Sequence, residues 1–357
     1  MHAPLTVLLP EAVARILFGG DPTLPEQLAS ALVAAVVVCL VPLTCAAVVI
    51  WAKRKVTAAF TDRVAVNRIG PFGLLVIVAD IFRLLGKELI IPDGVDRPAY
   101  DIGPLLVPLS AFLGFAVVPM GSAFGVRLQL ADPETGLVYA FAAASLSTLG
   151  LTMCGYASNN KFSLLGGLRA VAANIAYEIP LVVSAASVVL FAGTLRTSGI
   201  VAAQQTPLLT LGGLQIPSWY AFVNPFAFVL FLIANLAEVG RNPFDAPEAP
   251  TELVAGYQTE YGSVYWVLIY MGEFVHLFLG GALVATVFLG GPAGPVLPGF
   301  VWFLVKIWAV FLFTQWARSA VPRLRIDQLI VVGWKGLLVL SFVNLLVTAV
   351  VVGLLAS

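Results

Sequence analysis

The sequence predicts an all-α fold: a polytopic membrane helix bundle with about eight transmembrane helices plus a surface amphipathic helix. Three observations predict it. Hydrophobic residues make up 60% of the 357 and charged residues 11%, with a mean hydropathy of +0.98. A soluble domain is roughly a quarter charged, so these charges are too few to cover a water-facing surface. The apolar residues fall in repeated runs of about 20 or more, the length that crosses a bilayer core of roughly 30 Å. Lysine and arginine gather in alternate connections between those runs. Residues 1–357 therefore read as a single membrane domain.

The elements follow in order. Within an N-terminal segment, 1–26, residues 1–20 read as a short amphipathic helix with Glu11 and Arg15 at i, i+4. No basic stretch and cleavage site of a signal peptide is present. Spans are expected at 27–52, 101–126, 137–157, 164–194, 218–238, 263–289, 298–319 and 328–355. The connection 53–100 is long, and within it Leu74, Leu75, Val78, Ile81, Phe82 and Leu85 follow helical spacing. This is the surface helix, with Asp80, Arg83 and Lys87 on its polar side; a helix that merely seals the bundle is the other reading. Lys53, Arg54, Lys55, Arg63, Arg68, Arg83, Lys87, Arg97, Lys161, Arg241, Arg323 and Arg325 fall on one side, against Arg127 and Arg196 on the other. The positive-inside rule then puts the charged loops in the cytoplasm and both termini outside.

Composition also excludes functions. Cys39, Cys45 and Cys154 lack metal-ligand spacing, and with only His2 and His276 a haem or histidine-bound metal is not expected. No Gly-rich phosphate loop or nucleophile elbow occurs. The chain is expected to bind no redox cofactor itself and to take no nucleic-acid partner.

Within this apolar chain, the loop 238–262 stands out: its stretch from Glu238 to Tyr261, "EVGRNPFDAPEAPTELVAGYQTEY", carries five carboxylates and one arginine. Asp245, Glu248 and Glu252 have the spacing of one helix face, but Pro250 favours a helix that starts at the proline, leaving Asp245 and Glu248 in a loop. Helical continuation would pair Glu238 with Arg241. Crowded carboxylates at a membrane boundary repel one another, so some hold protons near neutral pH. A solvated acidic loop, a docking surface and a proton-handling site all remain open on these residues alone.

Ionisable groups within spans are costly and usually face protein interior or water. Glu178 lies mid-span, two residues before Pro180, which cannot bond the carbonyl of Ala176. Desolvation should raise its pKa and suit it to proton exchange; a neutral, hydrogen-bonded structural role is the alternative. Glu273 and His276 share a helix face, as a relay or a packed pair. Lys306 reads as snorkelling or ion-paired, without a functional role.

The segment "NPFDAPEAPTELVAGYQTEYG" resembles the signature loop of the H subunit of respiratory complex I, the NADH:quinone oxidoreductase, and of the matching subunit of its photosynthetic form. "RIGPFGLLVIVADIFRLLGKE", "GYASNNKFSLLGGLRAVAANIAYEIPL" and "VPRLRIDQLIVVGWKGLLVLSFVNLLVT" resemble family segments in family order. The resemblance implies a proton-translocating NADH (or ferredoxin):quinone oxidoreductase subunit in a bacterial plasma membrane or another energy-transducing membrane. It implies a quinone chamber bordered by Arg63, Asp80, Arg83, Lys87, Arg241, Asp245, Glu248 and Glu252, and a proton path through Glu178, Glu238, Glu260 and Glu273. Quinone is the implied substrate, with FMN and iron–sulfur clusters in partner subunits. Implied partners are hydrophilic-arm subunits, small membrane subunits and antiporter-like subunits. Four places depart from the family pattern: Pro250 replaces an acid, Lys53-Arg54 replaces an acid-arginine pair, Ala65-Val66 replaces Gly-Pro, and Val76-Ile77 replaces Gln-Pro. A membrane anchor of an energy-converting hydrogenase or formate-hydrogen-lyase complex is the main alternative. A stand-alone transporter is less well matched, for want of an inverted repeat in the hydropathy.

Overall fold

A computed structural model describes residues 7–18, 23–123, 125–211, 214–248, 250–294 and 297–356. The ends of the expected 1–20 helix fall outside them; its described part is α1 (Leu9–Leu17), preceded by the two-residue strand β1 (Val7–Leu8). Helix α2 (Leu24–Phe60) has 37 residues, and Glu26 Oε2 accepts from the Thr23 N–H at 2.7 Å at its start. At 1.5 Å per residue α2 is about 55 Å long, nearly twice a hydrocarbon core. Residues 53–60, expected in a loop, therefore continue the helix. No glycine breaks it, and it stops only before Asp62, whose φ is +49°.

Helix α3 (Val76–Leu85) is the expected surface helix. Ile77 is its buried residue, and Asp80 reaches Arg54 of α2 at 2.7 Å. Its predicted apolar face, from Leu74 to Leu85, points away from the bundle, with Phe82 72% exposed. A helix that sealed the bundle would bury that face, so the surface reading holds.

Helix α4 (Arg97–Phe115) ends eleven residues before the expected boundary at 126. Pro119 and Gly121 (φ +116°) break the run, and the chain forms β2 (Ser122–Ala123) and β3 (Val126–Arg127). Strand β3 lies between β1, parallel to it, and β2, antiparallel to it. Helices α5 (Gly136–Ala157) and α6 (Lys161–Ala192) follow as expected. They cross at two glycines: a Cβ on Gly155 would stand 2.9 Å from the Gly167 Cα. Small residues let backbones approach in membranes, where lipid supplies no hydrophobic drive between helices.

The expected fifth span, 218–238, is interrupted. After α7 (Thr197–Ala203) and the hairpin of β4 (Pro207–Leu211) with β5 (Leu214–Pro217), a turn of helix α8 (Tyr220–Val223) stops at Asn224. Helix α9 (Pro225–Glu238) then restarts, with Pro225 in its first turn and Asn224 Oδ1 accepting from the Ala227 N–H at 3.0 Å. Its 14 residues cover only about 21 Å.

A short helix α10 (Pro250–Leu253) precedes α11 (Ser263–Phe288), α12 (Gly299–Ala320) and α13 (Ile326–Val331). The last runs through a π-helical turn, Val332–Leu337, into α14 (Leu338–Ala356). Among the described residues, seven helices are long and apolar enough to cross a membrane, with α9 as a shorter eighth apolar helix. Helix α11 is the central one: 72% of its apolar window is buried, against 28% for α2 and 22% for the last span. Phe274, Phe278 and Phe288 on α11 meet Phe115, Phe231, Phe303 and Phe311 in the core.

Two intramembrane expectations change. Lys306 is buried rather than snorkelling and forms no ion pair among the described residues. Its Nζ donates to the carbonyls of Leu289, Gly291 and Ala293 at 2.6, 2.8 and 2.6 Å and lies 4.4 Å from the Trp219 ring. It caps the C-terminal end of α11 at Leu289 and satisfies two carbonyls of the turn that follows. The Ala176 carbonyl freed by Pro180 is covered by Gly333 of the π turn, where a Cβ would come within 2.9 Å of it. The neighbouring Tyr177 hydroxyl donates to the Leu329 carbonyl at 2.6 Å, locking α6 to the last span.

Candidate functional site: an acidic cavity beneath a folded loop

The chain leaves α9 at Glu238 and reverses through Gly240 (φ +63°). Helix α10 starts at Pro250, so Asp245 and Glu248 lie in the preceding turns rather than on one face with Glu252. The loop then folds back over the bundle. Gly256 (φ +59°) packs so tightly that a Cβ would lie 2.0 Å from the Pro247 carbonyl oxygen. That contact turns Tyr257 and Gln258 inward.

Beneath the loop is a cavity of about 50 Å³. Its polar lining comprises Glu238 of α9, Glu248 and Tyr257 of the loop, Glu273 and His276 of α11, Asn174 of α6 and Ser147 of α5. By the same measure a water needs roughly 10–15 Å³, so the cavity admits a few. Glu238 Oε2 and His276 Nδ1 are both buried and have no hydrogen-bond partner among the described residues. They are the groups that water in this cavity would serve.

Glu248 and Glu273 share their donors. The Tyr257 hydroxyl reaches Glu248 Oε1 at 3.1 Å and Glu273 Oε1 at 2.5 Å. Gln258 Nε2 reaches the same two oxygens at 2.9 and 2.8 Å. Two carboxyls this close cannot both ionise cheaply, so the pair holds a proton between them. Burial opposes the Glu248 charge, but its bond to Glu273, the Arg241 and Lys53 charges and the Tyr257 bond outweigh it and hold Glu248 below the usual carboxylate range. Burial and the two neighbouring carboxylates push the Tyr257 phenol well above its ordinary range, so it stays a donor.

Arg241 does not partner Glu238. The turn at Gly240 swings it to Glu273 at 3.8 Å, an ion-pair distance without a hydrogen bond, and 4.7 Å over the Phe274 ring. Asp245 is buried and pairs with Arg323 at 3.0 Å. Burial and the Glu248 charge still raise it to about 6, against the pull of Arg323, Arg241 and Arg318.

The other expected residues are dispersed. Glu178 is half-buried and accepts from the Ser145 hydroxyl of α5 at 2.5 Å; its field reaches Glu238. Glu252 is exposed and bridges to Arg169 of α6 at 2.5 Å. Glu260 accepts from Asn160 Nδ2 at 2.5 Å and does not line the cavity. Arg63 lines a second, open cleft, whereas Arg83 and Lys87 are exposed without ion pairs among the described residues. Glu273 and His276 form no hydrogen bond with each other, because Glu273 turns to Tyr257 and Gln258.

Sequence reasoning missed Tyr257, Gln258, Asn174, Arg169 and Arg323 as site residues. Only the first two carried a signal, as part of the loop motif. Arg169 and Arg323 meet the loop from 83 and 78 residues away, at Glu252 and Asp245, and Asn174 lines the cavity from α6.

The sequence profile of the family described as NADH dehydrogenase matches residues 33–349. The H 1 subunit of the NADH-quinone oxidoreductase of Geobacter metallireducens is 44% identical over 313 residues, covering 86% of this chain and 92% of that protein. The H subunit of the Geobacillus kaustophilus enzyme is 45% identical over 307 residues, covering 85% and 88%. The H 2 subunit of the Geobacter sulfurreducens enzyme is 42% identical over 313 residues, covering 86% and 92%. With that identity along most of its length and an acidic loop folded over a bundle of apolar helices, the chain belongs to the H-subunit family of NADH-quinone oxidoreductases.

Proposed function

We propose that this chain is the membrane subunit through which a proton-translocating quinone oxidoreductase couples quinone reduction to proton movement. The observation that carries the reading is the single cavity in which Glu238, Glu248 and Glu273 meet. Reducing a quinone to a quinol consumes two electrons and two protons. In this reading the electrons arrive from flavin and iron–sulfur centres in hydrophilic-arm subunits, and this chain handles charge and protons. Arg63 and Asp80 border the quinone entrance, while Arg241, Asp245, Glu248 and Glu252 form the loop that feels the change of charge.

The coupling follows from shared groups. A charge change near the loop acts on Arg241 and on the proton shared by Glu248 and Glu273. Because these line the same cavity as Glu238, moving that proton alters the proton occupancy of Glu238. Glu178, held by Ser145, continues the path. Antiporter-like membrane subunits are the recipients, and the charged loops face the cytoplasm.

The test is Glu178→Gln in the assembled complex. Quinone-coupled proton uptake by proteoliposomes should fall at least about tenfold while the complex still assembles, since one proton-transfer group contributes roughly 10²–10⁴-fold. Normal pumping would remove Glu178 from the path, and normal pumping in Glu238→Gln as well would sink the reading.

A further inference from the structure

Helices α9 and α11 cross closely where Asn235 meets Gly280: a Cβ on that glycine would stand 3.1 Å from the Asn235 Cγ. Glu238 lies three residues after Asn235 and His276 four before Gly280, so each stands one helical turn from the crossing, on the face that makes it. The two helices run antiparallel here. One turn along therefore brings both side chains to the same place, the acidic cavity, where both are part of the lining.

His276 is 7% exposed and Glu238 9%. The other acids nearby are occupied. Glu248 and Glu273 share Tyr257 and Gln258, and Glu178 accepts from Ser145. Among the described residues that line the cavity, Glu238 Oε2 and His276 Nδ1 are the buried side-chain atoms left without a partner. Buried polar atoms are nearly always bonded, to protein or to ordered water. A side chain that only filled this space would carry no ring nitrogen in need of a partner.

The surroundings of the ring hold few other charges. Glu273 is on the same helix, Glu248 and Tyr257 are on the loop, and Arg241 and Lys53 lie beyond them against the Phe274 ring. Helices α4, α5 and α6 face the cavity with uncharged residues, and Lys306 of α12 is held at the far end of α11.

One water between Glu238 and His276 satisfies both atoms, and the cavity of about 50 Å³ has room for it at roughly 10–15 Å³ each. The protonated carboxyl donates to the water, and the water donates to the lone pair of Nδ1. Transfer along that line breaks the carboxyl O–H and one water O–H, and makes a new water O–H and an Nδ1–H. A carboxylate and an imidazolium result, and their attraction across the cavity offsets part of the cost of charging either in a buried site.

We propose that His276 is a further proton-transfer residue of this subunit, taking the proton that Glu238 releases across one water in the cavity. The inference rests on the proton-path reading and adds an acceptor on α11 that no carboxylate of the path supplies.

The test uses the assembled complex in proteoliposomes with His276→Asn and His276→Gln, whose amides can bond the same water but cannot take its proton. Quinone-coupled proton uptake should fall about tenfold in each, the low end of what one proton-transfer group contributes. Infrared difference spectra recorded as quinone is reduced should show an imidazolium band in the wild type. That band should shift when histidine nitrogen is isotopically labelled, be absent from both variants, and grow as the Glu238 carboxyl band, assigned by its loss in Glu238→Gln, declines. If one variant fails to assemble, the other and the labelled wild-type spectrum carry the comparison. Uptake at the wild-type level in the variants would overturn the proposal, as would a wild-type spectrum without the imidazolium band. Both results leave the path through Glu238 standing if Glu238→Gln abolishes uptake, whereas normal uptake in Glu238→Gln would overturn that path and the proposal with it.

Discussion

At the scale of single residues, the site depends on carboxyls kept in unlike surroundings. Glu248 is held by two donors and the charges of Arg241 and Lys53, whereas Asp245 is buried with one arginine and an Oδ1 that has no partner among the described residues. Because the Asp245 carboxyl is raised to about 6, the folded protein keeps its proton over a window in which the unfolded chain, titrating near 3.8, has lost it. The native state then binds more protons than the unfolded one, so stability falls as pH rises from about 4 to about 6 and levels off above. Asp245→Asn should therefore flatten the decline of melting temperature across that window in detergent. An unchanged slope would show that Asp245 titrates as an ordinary carboxylate. The pairing of Glu238 with Arg241 illustrates why residue-level reading fell short. Spacing in sequence assumed that the helix went on, and the turn at Gly240 redirected the arginine to Glu273.

Among the elements, the loop is positioned by close backbone packing as much as by charge. Gly166 of α6 sits under the Gly256–Gln258 turn, where a Cβ would meet the Tyr257 nitrogen at 2.6 Å and the Gly256 carbonyl carbon at 2.8 Å. These are backbone atoms of an enclosed loop and cannot swing aside. Gly166→Ala should displace Tyr257 and Gln258 from both carboxyls. Quinone reductase activity should drop by about tenfold or more, while electron transfer to a hydrophilic artificial acceptor is retained. Equal loss of both activities would mean that the arm had failed to dock instead. Helix boundaries were legible wherever local chemistry was decisive, as at α5, α6 and α11. They were not legible where an apolar run concealed a break. The Asn224–Pro225 cap cut one expected span into two helices, and Pro119 with Gly121 ended α4 early, although hydropathy continued through both.

For the whole molecule, α11 is the axis on which the acidic cavity, the cap by Lys306 and the aromatic core are assembled. Its burial explains why Glu273 can be held in the membrane domain at all: loop and helices surround it with donors that lipid could not supply. The uneven lysine and arginine distribution predicts that the acidic loop and the end of α2 share the cytoplasmic side, with both termini opposite. Single cysteines at Ser357 and Thr259, in a background where Cys39, Cys45 and Cys154 are serine, test this with a membrane-impermeant thiol reagent on right-side-out vesicles. Labelling of the first without the second is expected, and the reverse pattern would invert the topology.

The sequence by itself determined the membrane class, the helical fold, the surface helix, the family and the identity of nearly all the acids. Each of these is written in local pattern: run length, 3.6-residue periodicity, charge placement and extended motifs. Only the tertiary structure decided which acids meet. Glu238, Glu248 and Glu273 come together from α9, the loop and α11, while Glu260 and Glu252 turn to other partners. It also decided that the freed Ala176 carbonyl is covered by Gly333 and that Lys53, Arg54, Arg63 and Arg318 line one cleft at the end of α2, with Arg54 paired to Asp80. The physical reason is common to all of these. Desolvation, shared protons and charge pairing depend on distance in space, and the groups involved lie on helices whose packing is set by small residues far apart in the chain.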